Sequence, residues 1–496
     1  MKRIYLVYPE KIGVISPEIY GHFAEHIGGV IQDGIWVGRD SKIPNIHGFR
    51  KALVEKLKRI CPPVVRWPGG CFAETYRWRD GIGENRPVRA GWWTSYDGRY
   101  ETNEMGTHEF MDFCNMLGAK PYLAVNVTAV SPMEVREWAE YCVAPRGSTT
   151  LAREREKNGS PEPFSIPYWG VGNENWGGGG NMTPEFYTLE YRRFSTVLQN
   201  VLGENNGFWV CGGANGSDYS WTEKLVSGLK QSRAPVNGMS FHYYCGKAGH
   251  AVDFSKSEWY ELLQKAERME ELIERHYAIV KGHSMEERLR LVVDEWGCWH
   301  PDGSGPSGGR NLYEQQSTMR DAVVAAITLN IFNNHCDKVH MANVAQLCNN
   351  LHSLFLTQRE NCIATPNYYV YAMFRHHQGA TAIRTIVEDN DPLDHRISAS
   401  ASVKDGVLTL TLANYSCEEA VEAEPELFGA EWSGEATASV LAGESMNAHN
   451  TFEAPEQVVT KELRVSPSHH VVIPPSGVVV MRAGLKDSAV NVAIMN

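Results

Sequence analysis

The chain has 496 residues, 43% of them hydrophobic, with 47 Lys and Arg against 59 Asp and Glu, a formal net charge of −12. That length exceeds one compact domain and suits a barrel of about 250–400 residues with a smaller partner. With no basic cluster to neutralise phosphates and no apolar run of about 18 residues, neither a nucleic-acid partner nor a membrane span is expected.

Eight apolar runs follow one another along the chain: Ile19–His26, Val64–Gly70, Pro121–Val127, Tyr168–Glu174, Trp209–Asn215, Asn237–Tyr244, Leu289–Trp296 and Val339–Leu347. Near-continuous apolar character is what strands buried on both faces of a parallel sheet require. Helical patterns lie between them. Phe49, Leu53, Leu57 and Ile60 recur at helical spacing, Thr183-Pro184 reads as a cap and first helical residue with Gly203 near the end, and Ser257–His283 and Glu314–Phe332 are helix-like. The alternation predicts an α/β fold, a (β/α)8 TIM barrel, with a doubly wound open sheet as the alternative. After Gly379 the pattern changes. Ile397, Ala399, Ala401 and Val403 alternate with polar residues, Asp405-Gly406 reads as a two-residue hairpin turn, and Leu408, Leu410 and Leu412 alternate in turn. This predicts a C-terminal antiparallel β-sandwich, to which Ile4–Val7 adds a strand. The expected division is a barrel over residues 17–379 and a sandwich over 1–16 plus 380–496.

Eleven cysteines without CxxC spacing are expected to be free thiols in a reducing compartment. The chain opens Met1-Lys-Arg-Ile-Tyr without an apolar leader, so a cytoplasmic location is expected. Asn126-Val-Thr128 has the form of a glycosylation site but ends a predicted core strand, and is read as chance. His22 and His26 flank Glu25 without the HExxH pattern on a helix, so no metal and no cofactor are expected. Gly177–Gly180 follows a strand but lacks the spacing of a phosphate-binding loop.

Two carboxylates carry the functional argument. Glu174 and Glu295 each close an apolar run, and barrel enzymes gather their chemistry at the carboxyl ends of the strands. A facing pair of carboxylates is the basic equipment for glycosidic bond cleavage. A strand-end glutamate is more often a cap or ion-pair partner, so the surrounding pattern matters. His22, Phe23, Glu25, Arg66, Trp67, Cys71, Asn126, Asn215, His242, Tyr244 and Gln346 stand at or just past other strand ends. Trp92, Trp93, Trp176, Trp221 and Trp299 are expected in the loops that follow. Polar groups with interleaved aromatics suit a sugar, whose hydroxyls need paired polar contacts and whose CH faces pack on rings. Side chains alternate along a strand, so Asp294 is expected to face the helices or a supporting hydrogen-bonded layer while Glu295 faces the mouth. Gly303–Gly309 reads as a lid or a flexible connection beside Glu295.

Seven segments in order resemble the α-L-arabinofuranosidases of glycoside hydrolase family 51. They are Tyr20-Gly-His-Phe-Ala-Glu-His26, Arg66-Trp-Pro-Gly-Gly70, Gly106-Thr-His-Glu-Phe110, Trp169-Gly-Val-Gly-Asn-Glu174, His242-Tyr-Tyr244, Val293-Asp-Glu-Trp296 and Met341-Ala-Asn-Val-Ala-Gln346. The resemblance implies a retaining, exo-acting enzyme that releases arabinose from arabinoxylan or arabinan oligosaccharides. Glu174 would be its acid/base on the fourth barrel strand and Glu295 its nucleophile on the seventh. It implies sugar contacts from Glu25, Arg66, Asn173, Tyr244 and Gln346, a supporting role for His242 at the nucleophile, and a homohexamer. Phe23 and Trp93 are further candidates to line the site. Many members carry Asn where this chain has Cys71, and Trp92-Trp93 resembles an aromatic loop of the members that share the Cys. The alternatives are a β-xylosidase or β-1,4-glucanase of the same clan, a non-catalytic carbohydrate-binding barrel, and a nucleotide-dependent enzyme using Gly177–Gly180.

Overall fold

The computed structural model describes residues 2–203, 206–388, 396–466 and 470–486. Eight parallel strands close into a barrel: Gly21–Phe23, Val64–Trp67, Lys120–Val125, Tyr168–Val171, Phe208–Cys211, Gly238–Gly246, Arg290–Trp299 and Val339–Val344. Closure is made where Asn343 and Val344 of the eighth strand pair with Gly21 and His22 of the first. An open doubly wound sheet is thereby excluded. Each strand overlaps one of the eight apolar runs, and the third, fifth, sixth and seventh strands extend past their runs at Lys120, Phe208, Gly246 and Trp299. The match arises because a barrel strand buries its inner side on the barrel core and its outer side on helices.

Val64, Tyr122, Tyr168, Val210, Val292 and Met341 fill the lower barrel interior as one apolar layer. Outside, helices cover the strands. The helix Pro184–Leu202 begins with Thr183 Oγ1 accepting from Phe186 N at 3.3 Å and stops at Gly203, whose φ is 84°. Two expected helices shift. Phe49 belongs to a two-residue strand ahead of the helix Lys51–Ile60. The helix expected from Glu314 starts at Met319, because Thr318 and Asp321 form a reciprocal cap that fixes its first turn.

The second layer system is a nine-stranded sheet whose inner face carries Ile4, Leu6, Ile383, Leu408, Leu410, Leu412 and Met481. The strand Lys2–Val14 lies within it, antiparallel to Thr381–Val387 and parallel to Val421–Phe428. Asp405 and Gly406, at φ 51° and 74°, join Ile397–Lys404 to Val407–Asn414 in the two-residue turn expected. The helix Met319–Asn334 lies between barrel and sandwich, buried from Met319 through Asn333. Its amides reach across. Asn330 Nδ2 donates to Ser398 Oγ at 3.1 Å, Asn333 Nδ2 to Ser400 Oγ at 3.0 Å, and Asn334 Nδ2 to the Ala399 carbonyl at 3.0 Å.

Among the described residues, no helix is long and apolar enough to cross a membrane. All eleven cysteines are free thiols.

Candidate active site

The carboxyl ends of the strands converge on one polar pocket. Arg66 from the second strand donates through Nη1 to Glu295 Oε1 at 2.8 Å and through Nη2 to Asn173 Oδ1 at 2.5 Å. Its guanidinium lies over the Phe23 ring, 4.5 Å from the centroid. Tyr244 donates its hydroxyl to Glu295 Oε2 at 2.7 Å. Glu174 enters from the end of the fourth strand, and His242 Nδ1 lies 2.9 Å from its Oε1 and 3.6 Å from Glu295 Oε2. One polar atom each of Glu174, His242 and Glu295 lie within 4.8 Å of one another. His242 thus bridges both carboxylates and is closer to Glu174, where the expectation tied it to Glu295.

Local backbone explains how these groups reach the mouth. Glu174 has φ 44°, the left-handed region that non-glycine residues rarely occupy, and this kink turns its side chain off the strand. Gly70 runs so close to the nucleophile candidate that an added Cβ would stand 2.6 Å from Glu295 Oε1. On the seventh strand, Ser240 pairs with Val292 and His242 with Glu295, so three steps there oppose two on the neighbour. This bulge suspends the alternation of side chains. Asp294 therefore does not face the helices. It accepts from the Tyr122 hydroxyl at 2.9 Å and from Asn343 Nδ2 at 3.2 Å, with Arg66 Nε 3.9 Å away, directly beneath the site.

Glu25 forms a second carboxylate centre. Its Oε1 accepts from Gly70 N at 3.1 Å, Phe72 N at 3.0 Å and Trp93 Nε1 at 3.2 Å, and its Oε2 accepts from Gln346 Nε2 at 3.1 Å. Gln346 Oε1 in return accepts from Glu25 N at 3.0 Å. Cys71 stands between the two carboxylate centres, its thiol donating to Glu174 Oε2 at 3.5 Å and accepting from Asn173 Nδ2 at 3.9 Å. Burial and the neighbouring carboxylates push that thiol far up, so it stays protonated and acts as a donor. Trp299 packs on Tyr244 and Tyr313 with centroids 5.1 and 4.9 Å apart, and Tyr313 on Trp93 at 6.0 Å, forming an aromatic rim.

The electrostatics separate the carboxylates. Burial alone would raise the Glu295 carboxyl, but His242 and Arg66, with hydrogen bonds from Arg66 and Tyr244, outweigh it and hold Glu295 below the usual range. Burial, then the charge of Glu295, push Glu25 up to about 7. Burial would depress His242, yet the two facing carboxylates raise it.

Several expected residues fall elsewhere. His22 is buried against the Tyr371 ring, 5.0 Å between centroids, and burial drives it down to about 3. His26 accepts from Trp67 Nε1 at 2.9 Å and bonds Glu101 at 2.8 Å, behind the site. Asn126 Oδ1 accepts from Thr128 N and Ala129 N in a local turn, and Asn215 is exposed beyond the fifth strand. Trp221 belongs to the helix Tyr219–Lys230 and stacks on Tyr187, and Trp299 is the last residue of the seventh strand rather than a loop residue. Gly303–Gly309 is tied to Glu314, whose Oε2 accepts from Ser307 N at 2.7 Å. Sequence reasoning passed over Glu74, fully buried in the short helix Cys71–Thr75, because that stretch carries no periodicity.

Comparison with known proteins places the chain in a family. The model of the α-L-arabinofuranosidase 1 domain matches residues 56–248 and that of the α-L-arabinofuranosidase C-terminal domain residues 294–475. The chain is 39% identical to an intracellular exo-α-L-arabinofuranosidase of Bacteroides ovatus over 90% of its own length and 87% of that protein. A GH51 arabinofuranosidase structure from Xanthomonas axonopodis pv. citri superposes with a TM-score of 0.90 at 34% identity, over 97% of this chain and all of that one. An α-L-arabinofuranosidase from Thermotoga maritima in complex with arabinose gives 0.86 at 28% identity, over 98% and 100%. On this sequence identity and coverage, the chain belongs to the α-L-arabinofuranosidases of glycoside hydrolase family 51.

Proposed function

We propose that the protein is a retaining, exo-acting α-L-arabinofuranosidase working on arabinoxylan- and arabinan-derived oligosaccharides. The observation that carries this is the pair Glu174 and Glu295, with carboxyl oxygens within 4.8 Å of each other across one pocket. Retaining glycosidases hold their carboxyls about 5–5.5 Å apart, and inverting ones about 6.5–9.5 Å. Glu295, ionised and aimed by Arg66 and Tyr244, attacks the anomeric carbon. Glu174 protonates the departing oxygen and then, as a carboxylate, takes a proton from the water that releases the sugar. His242 lies against both carboxylates and adjusts as charge moves from one to the other. Glu25, Asn173, Gln346 and the Cys71 thiol line the sugar's subsite, with Phe23 beneath it and Trp93 beside it. Arg66, held to both Glu295 and Asn173, stiffens its floor. In this reading the barrel of residues 17–379 holds the chemistry and the sandwich of 1–16 and 380–496 braces it, with 1, 204–205, 389–395, 467–469 and 487–496 lying outside the described residues. The same family reading makes the enzyme cytoplasmic, in line with the printed name of its Bacteroides ovatus relative, and a homohexamer, which sedimentation would check.

The test is a nitrophenyl glycoside panel with NMR of the first-formed anomer, run on the wild type, Glu295→Ala and Glu174→Ala. Arabinofuranoside is expected to be the preferred sugar, released with retained configuration. Glu295→Ala loses turnover on every substrate, while Glu174→Ala keeps activity on substrates with good leaving groups and regains turnover with azide. Inverted product, or near-wild-type activity in both variants, would overturn the reading.

A further inference from the structure

Glu74 is a buried carboxylate surrounded by N–H donors. Its Oε1 accepts from Asn173 N at 2.6 Å and Asn175 Nδ2 at 3.2 Å, the residues on either side of Glu174. Its Oε2 accepts from Val127 N at 2.9 Å and Thr128 N at 3.0 Å, just past the third barrel strand. The donors form a closed set. Asn175 Nδ2 and Thr128 Oγ1 each also donate to the Gly179 carbonyl at 2.7 Å, and the Glu174 carbonyl accepts from Gly177 N and Gly179 N. Glu174 is flanked on both sides by residues bonded to Glu74 while its own backbone sits at φ 44°. Such a conformation persists only where surrounding bonds over-determine it. The helix Cys71–Thr75 that carries Glu74 also carries Cys71, whose thiol meets Glu174.

We propose that Glu74 is a positioning residue for the acid/base, holding the Asn173 backbone N–H on one side of Glu174 and the Asn175 side-chain amide on the other so that the Glu174 carboxyl faces the leaving-group oxygen. This rests on the reading of Glu174 given above. Only a carboxylate fills the place. Four N–H donors need two acceptor oxygens, and the amide nitrogen of a glutamine would confront two of those donors with N–H of its own.

The consequence is a defect in proton donation rather than in sugar binding. Arabinofuranosides with a 2,4-dinitrophenyl leaving group need little protonation, and those with an alkyl or 4-methoxyphenyl group depend on it. Glu74→Gln is therefore expected to lose at least tenfold more kcat/KM on the poor leaving groups than on 2,4-dinitrophenyl, with KM little changed and the alkaline limb of the pH profile displaced. Glu174→Ala, run beside it, shows the same asymmetry in stronger form. Equal loss on both substrate classes, or wild-type rates on both, overturns the proposal. Should Glu74→Gln fail to fold, Asn175→Ala removes one of the four donors and carries the test, with the same asymmetry expected and equal losses again overturning it. An asymmetry in Glu174→Ala without one in Glu74→Gln sinks the clamp alone. No asymmetry in Glu174→Ala sinks the acid/base reading itself.

Discussion

The lower and upper halves of the barrel interior are built on the same strands and obey opposite rules. Below, Val64, Tyr122, Tyr168, Val210, Val292 and Met341 pack as an apolar plug. Two residues further along the second strand stands Arg66, and two or three further along the seventh stand Asp294 and Glu295, all buried. Burying charges is costly unless each is paired, and here a single guanidinium serves two carboxylates while tyrosine, asparagine and histidine satisfy the remaining oxygens. On the proposed reading of the site, the contrast separates stability from chemistry within one cylinder: the plug holds the strands together and the charged storey is where substrate would be met.

Substitutions in the two storeys should break along this line. Glu295→Ala removes the proposed nucleophile and is expected to lower kcat by about 10⁴-fold or more, read on aryl arabinofuranosides, with a melting temperature near or above that of the wild type. Arg66→Ala strands Asp294 and Glu295 without their cation. It is expected to destabilise by about 3–5 kcal/mol in urea unfolding while kcat falls by about 10²-fold or more, so this position reads in both assays. Met341→Ala leaves a cavity in the plug and should cost about 2–5 kcal/mol with kcat held at the wild-type level. A matching loss of kcat would show that the plug and the site are not separate.

The smallest effect is a pH slope. Glu25 keeps its proton in the folded protein to about 7 against a usual value of 4.5, chiefly through burial and secondly through the charge of Glu295. Between those pH values the folded chain holds a proton that the unfolded chain has released, so stability falls as pH rises through the window. Glu25→Gln should flatten that part of the slope, measured as the difference in unfolding free energy between pH 5 and pH 7.5 relative to wild type.

Much of this was legible in the sequence because burial on two faces leaves an apolar run, and each of the eight runs overlaps a barrel strand. The paired glutamates were visible because each ends such a run. For Asp294 the sequence left two places open, facing the helices or within a supporting hydrogen-bonded layer. The bulge that decides for the second depends on neighbouring strands, and no pattern within Arg290–Trp299 announces it. His22 lies on a strand end like Phe23, yet only Phe23 points into the site, a distinction set by register with Val344 and Val65. Glu74 was silent for a different reason. Three of its four partners are backbone N–H groups of segments about 50 and 100 residues away, and backbone donors carry no residue identity to recognise.

The helix Met319–Asn334 has no side left for water. Its start is locked by Asp321, which accepts from His300 Nε2 at 2.9 Å and from Thr318 N at 2.8 Å, and its far end grips the sandwich through asparagine amides. Removing the sandwich would uncover the face of this helix that its strands bury, so the catalytic lobe cannot be trimmed to a minimal enzyme. Barrel and sandwich should melt together in one calorimetric peak, and two resolved peaks would refute that.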